Sequence, residues 1–236
     1  AKAEAERRGD QPAGQALKAA DLNFAVMSNS EANVKDLAMA LCWVFHIVGD
    51  IHQPLHCSDY YSKEFPTGNG AGTMSYVVDP FPGADSSIPL HLLWDSNTLR
   101  STELEDVYEN AEQLAKKYPR SEFPELKTDT IEPGIFEKWA RESYQVAADF
   151  AYQGIETVPD PAKDQDADAL MANMVKFIRE GISPVPVAEA PEVPAEYWET
   201  LQDTAHRRIT LAGYRMADLI FAAADQITAE REFIGR

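Results

Sequence analysis

The stretch His46-Ile-Val-Gly-Asp50-Ile-His52-Gln-Pro54-Leu-His56 governs how the rest of the chain is read. It closes an apolar run in which Val34, Leu37, Leu41, Val44, Phe45 and Val48 recur at helical spacing. That spacing predicts a mostly buried helix over about residues 31–50, with Ser30 as its N-cap. Pro54 stops the helix, because the residue before a proline disfavours the helical backbone. His46 and Asp50 stand four apart and so share one helix face. Among Leu, Val, Phe and Ile, a carboxylate is costly to bury without a counter-cation. Further on, Leu90-His91-Leu-Leu-Trp94-Asp95 repeats the His-x-x-x-Asp spacing on a second predicted helix. His56 lies past the proline break, where the chain can turn a side chain back toward such a cluster.

Imidazole and carboxylate without thiolate form the donor set of catalytic rather than structural zinc. Three protein ligands leave a position open for water, which a bound ion activates near neutral pH. The competing reading is that the two His-x-x-x-Asp pairs are ordinary helix-surface ion pairs. His52 is read as a residue that orients its neighbours rather than as a ligand. His206, beside an apolar helical stripe, is read as a core residue. Cys57 is left out of the ligand set, since a thiolate is atypical in an oxygen-and-nitrogen hydrolytic centre. Two cysteines, Cys42 and Cys57, cannot make a disulfide framework, and whether they pair stays open.

Outward from these motifs, periodicity predicts helices over about 14–27, 90–100, 102–118, 133–156, 166–180 and 195–229. In the last, Leu201, Ala205, Ile209, Ala212, Met216, Leu219 and Ala223 form one stripe. The segment from Cys57 to Pro89 is rich in Gly, Pro and Ser and holds one β-like run, Met74 to Val78. Residues 1–13 read as a polar lead-in. The prolines between Pro159 and Pro194 mark surface connections and need not mark a domain boundary. The expected architecture is all-α, a single domain over 1–236 with long loops and at most a small β-hairpin. A chain of 236 residues can bury a core of that kind. No apolar run approaches the ~20 residues of a membrane-spanning helix. The opening AKAEAERRGD has no apolar signal-peptide core. The net charge of −18 argues against a Lys/Arg-lined nucleic-acid groove. It leaves open a nucleic-acid substrate reached through bound cations.

HIVGDIHQPLH followed by LHLLWD resembles the zinc-dependent single-strand nucleases of fungi, plants and bacteria, the S-one/P-one nuclease type. Bacterial zinc phospholipase C is a more distant relative of that group. The likeness continues through Trp139-Ala-Arg-Glu-Ser143 and the closing helix around Arg207 to Gly213, covering about residues 20–225. It implies a helical phospholipase C/single-strand-nuclease fold that holds up to three zinc ions. It further implies hydrolysis of phosphodiester bonds in single-stranded DNA and RNA, and of 3′-phosphates in mononucleotides. Carried onto this sequence, His46 and Asp50 match ligands of a buried pair of ions, with Asp50 the bridging, catalytic carboxylate. His56, His91 and Asp95 match the three ligands of the remaining ion. A secreted or periplasmic setting without stable membrane association is implied by the same likeness.

The sequence departs from the family pattern in two places. Family members open with a residue, usually Trp, whose amino group binds zinc, and a His, an Asp and a second His follow before the motif. Here no histidine precedes His46. The resemblance therefore implies one fully liganded zinc, two weakly held ones, and a first fifth to quarter of the family domain, with any secretion signal, outside this sequence. The second departure is the loop Phe65 to Thr73, where relatives carry an Asp and end in Gly-Gly-Asn. In one register Asn69 takes the acidic place and Thr73 the Asn place; in another Asn69 is itself the Asn. Both are thus candidate substrate-binding residues, and a plain Gly-rich turn is the remaining reading. Two other functions stay in view: a phospholipase C-like phosphoester hydrolase, and a non-catalytic zinc-binding module.

Overall fold

The fold is a computed structural model that describes residues 15–164 and 167–234, so the polar lead-in over 1–13 lies outside the described residues. Among them are seven α-helices: α1 (Gln15–Met27), α2 (Val34–Asp50), α3 (Leu90–Ser96), α4 (Leu104–Lys117), α5 (Ile135–Val146), α6 (Ala167–Glu180) and α7 (Ala195–Ile234). Strands β1 (Ser75–Val78), β2 (Ser87–Pro89) and β3 (Val158–Pro159) form one small antiparallel sheet in the order β2-β1-β3. The all-α class holds. The sheet has one strand more than a hairpin, because Val158 and Pro159 pair with Tyr76 and Ser75.

Local chemistry accounts for the helix ends. α2 starts at Asn33, not at Ser30: the Asn33 side-chain oxygen accepts the Lys35 and Asp36 amides at 3.1 and 3.0 Å. Asparagine caps as well as serine, and this one sits where the helical backbone begins. α3 ends at Ser96, short of the expected residue 100, and the Asn97 side-chain NH2 donates to the Trp94 carbonyl at 2.6 Å. α5 gives way after Val146 to a π-turn, Ala147–Ala151, instead of running to 156.

The residues form two compact units, each assembled from separate stretches of chain. Among the described residues, one comprises those up to Gln53, Glu103–Ser143 and those from Arg207 on; the other comprises those in Pro54–Thr102 and Tyr144–His206. In the second unit the core consists of Leu55, Val77, Ile88, Leu90, Leu93, Trp94, Ala147, Ala151, Tyr197, Leu201 and Ala205. Its aromatic members satisfy their polar ends internally: Trp94 Nε1 donates to the Tyr197 hydroxyl, which donates to the Ala151 carbonyl. Such pairing lets amphipathic rings be buried without a stranded donor.

In the first unit, α2 buries Ala40, Val44, Ile47 and Val48. The helix is not mostly buried as its composition predicts, since Val34, Met39, Trp43 and Phe45 are exposed. Its apolar residues exceed one face, so part of the run necessarily points elsewhere. Along α7 the buried positions include Leu201 and Ala205 in the second unit, then Arg208, Ala212, Arg215, Leu219 and Ala223 in the first. Ile209, expected on this stripe, is 47% exposed. Two arginines, Arg208 and Arg215, take the inward positions next to Ile209 and Met216, where the apolar pattern placed the core.

Candidate metal centre

His56, His91 and Asp95 converge in the second unit, with one ligand atom from each lying within 4.8 Å of the others. The sequence dictates this locally. Leu90, Leu93 and Trp94 are buried, so α3 turns positions 91 and 95, four residues apart, together toward another side. Leu55 is fully buried in the 3-10 turn Pro54–Cys57, which leaves His56 directed outward. The His56 Nε2 is 3.2 Å from one Asp95 oxygen, and the His91 Nε2 is 3.5 Å from the other. The two imidazole rings meet edge-on, with centroids 4.6 Å apart.

The His91 ring is fixed from behind. Its Nδ1 lies 2.9 Å from the Ala71 carbonyl. A carbonyl oxygen only accepts, so Nδ1 carries the proton and Nε2 keeps its lone pair for the cluster. Asp95 stands in the last turn of α3, against the negative end of the helix dipole, where a carboxylate gains from a nearby cation. Two imidazole nitrogens and a carboxylate oxygen, one imidazole held in the ligating tautomer, fit a divalent ion of zinc type.

His46 and Asp50 pair at 3.3 Å on the last turn of α2 in the first unit, with side chains 66% and 41% exposed. No third His, Cys, Asp or Glu completes a group with them among the described residues. Neither cysteine is in a disulfide.

The Gly-rich loop lies in the second unit. Asn69 is only 1% exposed. Its oxygen accepts the Gly72 amide at 2.9 Å and its NH2 donates to Ser75 Oγ at 3.0 Å. In this geometry the amide shapes the loop. Thr73 is half-buried, and its amide donates to the Gly70 carbonyl. Gly68, Gly70, Ala71 and Gly72 all have positive φ, Ala71 at 57°. That run folds the loop back so that the Ala71 and Gly72 carbonyls receive His91 Nδ1–H and N–H.

His52 does not join the cluster. It is buried in the first unit, with Nδ1–H donated to the Val48 carbonyl and Nε2 accepting from Arg215. Burial, and then the charges of Arg208 and Arg215, hold its pKa well below the ordinary imidazole value. Arg215 is completely buried and also pairs with Asp129 and Glu142. Burial alone would raise the Asp129 carboxyl, but Lys138 and Arg215 hold it below its usual value. Arg208 donates to the His52 carbonyl and to Ser143, whose hydroxyl donates to the Ile51 carbonyl. This network grips the two residues that follow Asp50. Sequence reasoning missed Arg208, Arg215, Asp129 and Glu142. The signal that could have found them is the pair of arginines in the core register of α7.

The S1/P1 Nuclease family model matches residues 3–225. Endonuclease 2 of Arabidopsis thaliana is 30% identical over 152 residues, which cover 61% of this chain and 48% of that protein. Nuclease S1 of Aspergillus oryzae is 25% identical over 212 residues, 86% of this chain and 61% of that protein. The chain thus spans about half to three-fifths of the length of these relatives. The match takes in both histidine-bearing motifs and runs from near the start of the sequence into the last turns of α7, and on that basis the chain belongs to the S1/P1 nuclease family.

Proposed function

We propose that the protein is a zinc-dependent phosphodiesterase that cuts single-stranded DNA and RNA and releases phosphate from 3′-nucleotides. The observation that carries this reading is the convergence of His56, His91 and Asp95; membership of the nuclease family supports it. A zinc ion held by these three would supply Lewis acidity toward water and a phosphoryl oxygen. His56 and His91 would donate through Nε2. Asp95 offers one oxygen toward each imidazole and brings the negative charge that a divalent ion requires. The Ala71 carbonyl keeps the His91 proton on the far nitrogen. His46 and Asp50 supply a second donor pair in the first unit, with Asp50 proposed as a carboxylate that bridges two ions. Asn69 and Thr73 contribute to substrate binding through the shape of the loop.

The net charge of −18 repels a phosphate backbone, so raised salt should relieve the repulsion and favour binding. A secreted or periplasmic setting belongs to the same reading, and no described helix is long and apolar enough to cross a membrane. The test is incubation of the zinc-loaded protein with single-stranded DNA, RNA and 3′-AMP. Turnover that a chelator abolishes and zinc restores is expected. A zinc-loaded protein that turns over none of the three contradicts the proposal.

A further inference from the structure

Asp59 takes no part in the metal cluster, yet it is tied to it through one residue. Its Oδ1 accepts the Ala71 amide at 3.1 Å. A side chain on Gly68, whose φ is +99°, would run into the Asp59 carboxylate, so the loop closes directly over that group. Ala71 is the one described non-glycine residue with positive φ, at 57°. An L-residue there costs on the order of 1 kcal/mol and needs its surroundings to hold it. Two partners do so from opposite ends: Asp59 takes the Ala71 N–H, and His91 Nδ1 gives its proton to the Ala71 carbonyl. Asn69 braces the next residue by accepting the Gly72 amide.

We propose that Asp59 is a positioning residue for His91: by anchoring Ala71 in its left-handed conformation it fixes the carbonyl that holds the His91 ring in the Nδ1–H tautomer. A free imidazole has no such constraint and can protonate either nitrogen. Without the anchor, Ala71 relaxes toward negative φ, its carbonyl turns, and the His91 Nε2 lone pair is no longer kept for a cation. The inference rests on the proposed metal site for its consequence, but its first step concerns the metal-free protein.

Two measurements on the whole chain test it. Nitrogen-15 NMR of the metal-free protein at about pH 8, above the ordinary imidazole range, should show His91 as the Nδ1–H tautomer. Asp59→Ala should move it toward a mixture of the two tautomers. Asp59→Asn keeps an acceptor oxygen and should retain the wild-type pattern. Zinc titration should show affinity falling about 10-fold in Asp59→Ala, the lower end of what losing an outer partner of a ligand costs, and by much less in Asp59→Asn. Asp59 is exposed, and circular dichroism should show the helical content of both variants unchanged. The proposal is overturned by a wild-type His91 in the Nε2–H tautomer, by an Asp59→Ala variant with unaltered tautomer and affinity, or by Asp59→Asn behaving like Asp59→Ala. A wild-type protein that binds no zinc would instead sink the metal-site reading, while the tautomer measurement would still decide the role of Asp59.

Discussion

His46–Asp50 and His91–Asp95 have the same spacing, and each closes a helix, yet their surroundings differ. The second pair has a third donor in His56, and its histidine is held by the Ala71 carbonyl, with the His91 side chain 13% exposed. The first pair has no such third group among the described residues, and the His46 side chain is 66% exposed. What is held tightly in the first unit is the backbone after the pair, Ile51 and His52, gripped by Ser143 and Arg208. Four-residue spacing on a helix therefore aligns two side chains. Whether they become a cation site depends on what a distant part of the chain brings to them.

The largest expected effect breaks the support of the first pair. Arg215→Ala leaves the buried Asp129 carboxylate and the half-buried Glu142 beside an empty space and should cost about 3–5 kcal/mol. Arg120→Ala, which removes an exposed pair with Asp218, should cost within about 1 kcal/mol. Urea denaturation of both variants measures the contrast. Equal, small losses would show that the buried network does not hold the end of α2.

The comparison is sharpened by zinc titration of His91→Ala and His46→Ala. The first should lose at least about 100-fold in affinity for the tightest ion, beyond the cost of losing an outer partner. The second should change that affinity only a few-fold. Reversal of the order would assign the tight site to the wrong pair.

Acid should act on the network of the first unit. His52 has a depressed pKa, so the unfolded chain binds its proton more readily; its contribution is full above about pH 6.5 and is lost as pH falls. Asp129 is also depressed, so its contribution is present above the ordinary carboxylate value and is lost at lower pH still. Burial and then the charges of Arg208 and Arg215 set the direction at His52, and Lys138 and Arg215 overcome burial to set it at Asp129. Unfolding free energy measured from pH 8 down to 3 (about the imidazole and carboxylate ranges) should fall in two steps. A flat profile through the imidazole range would contradict a buried neutral His52.

The smallest effect is at Ala71. Ala71→Gly relieves a left-handed alanine at the expense of a looser unfolded chain, so stability should rise by no more than about 1 kcal/mol. A clear loss would mean that the alanine side chain, not its backbone, matters to the loop.

The parts of the molecule that were legible in the sequence are those set by local spacing. Helix positions followed from periodicity, and the placement of His91 with Asp95 on one face followed from four-residue separation. The parts that were not legible involve partners far apart in the chain. Ala71 lies 20 residues before His91, and Arg215 lies 163 residues after His52, so no window of sequence holds both members. β3 is two residues long and has no periodicity to detect. Asn69 illustrates a different limit: its type suits both ligand binding and loop capping, and its hydrogen bonds to Gly72 and Ser75 leave no mark in the sequence pattern. Arg208 and Arg215 were visible as charges in a core register, but an apolar stripe drawn through Ile209 passed beside them.

The central claim is that His56, His91 and Asp95 form one cation site. Zinc-edge X-ray absorption of the protein loaded with a single equivalent of zinc tests it most directly, alongside the same measurement on His91→Ala. The account predicts a shell containing two imidazoles and a carboxylate oxygen, with one imidazole lost in the variant. A shell without imidazole, or one that is identical in His91→Ala, would contradict it.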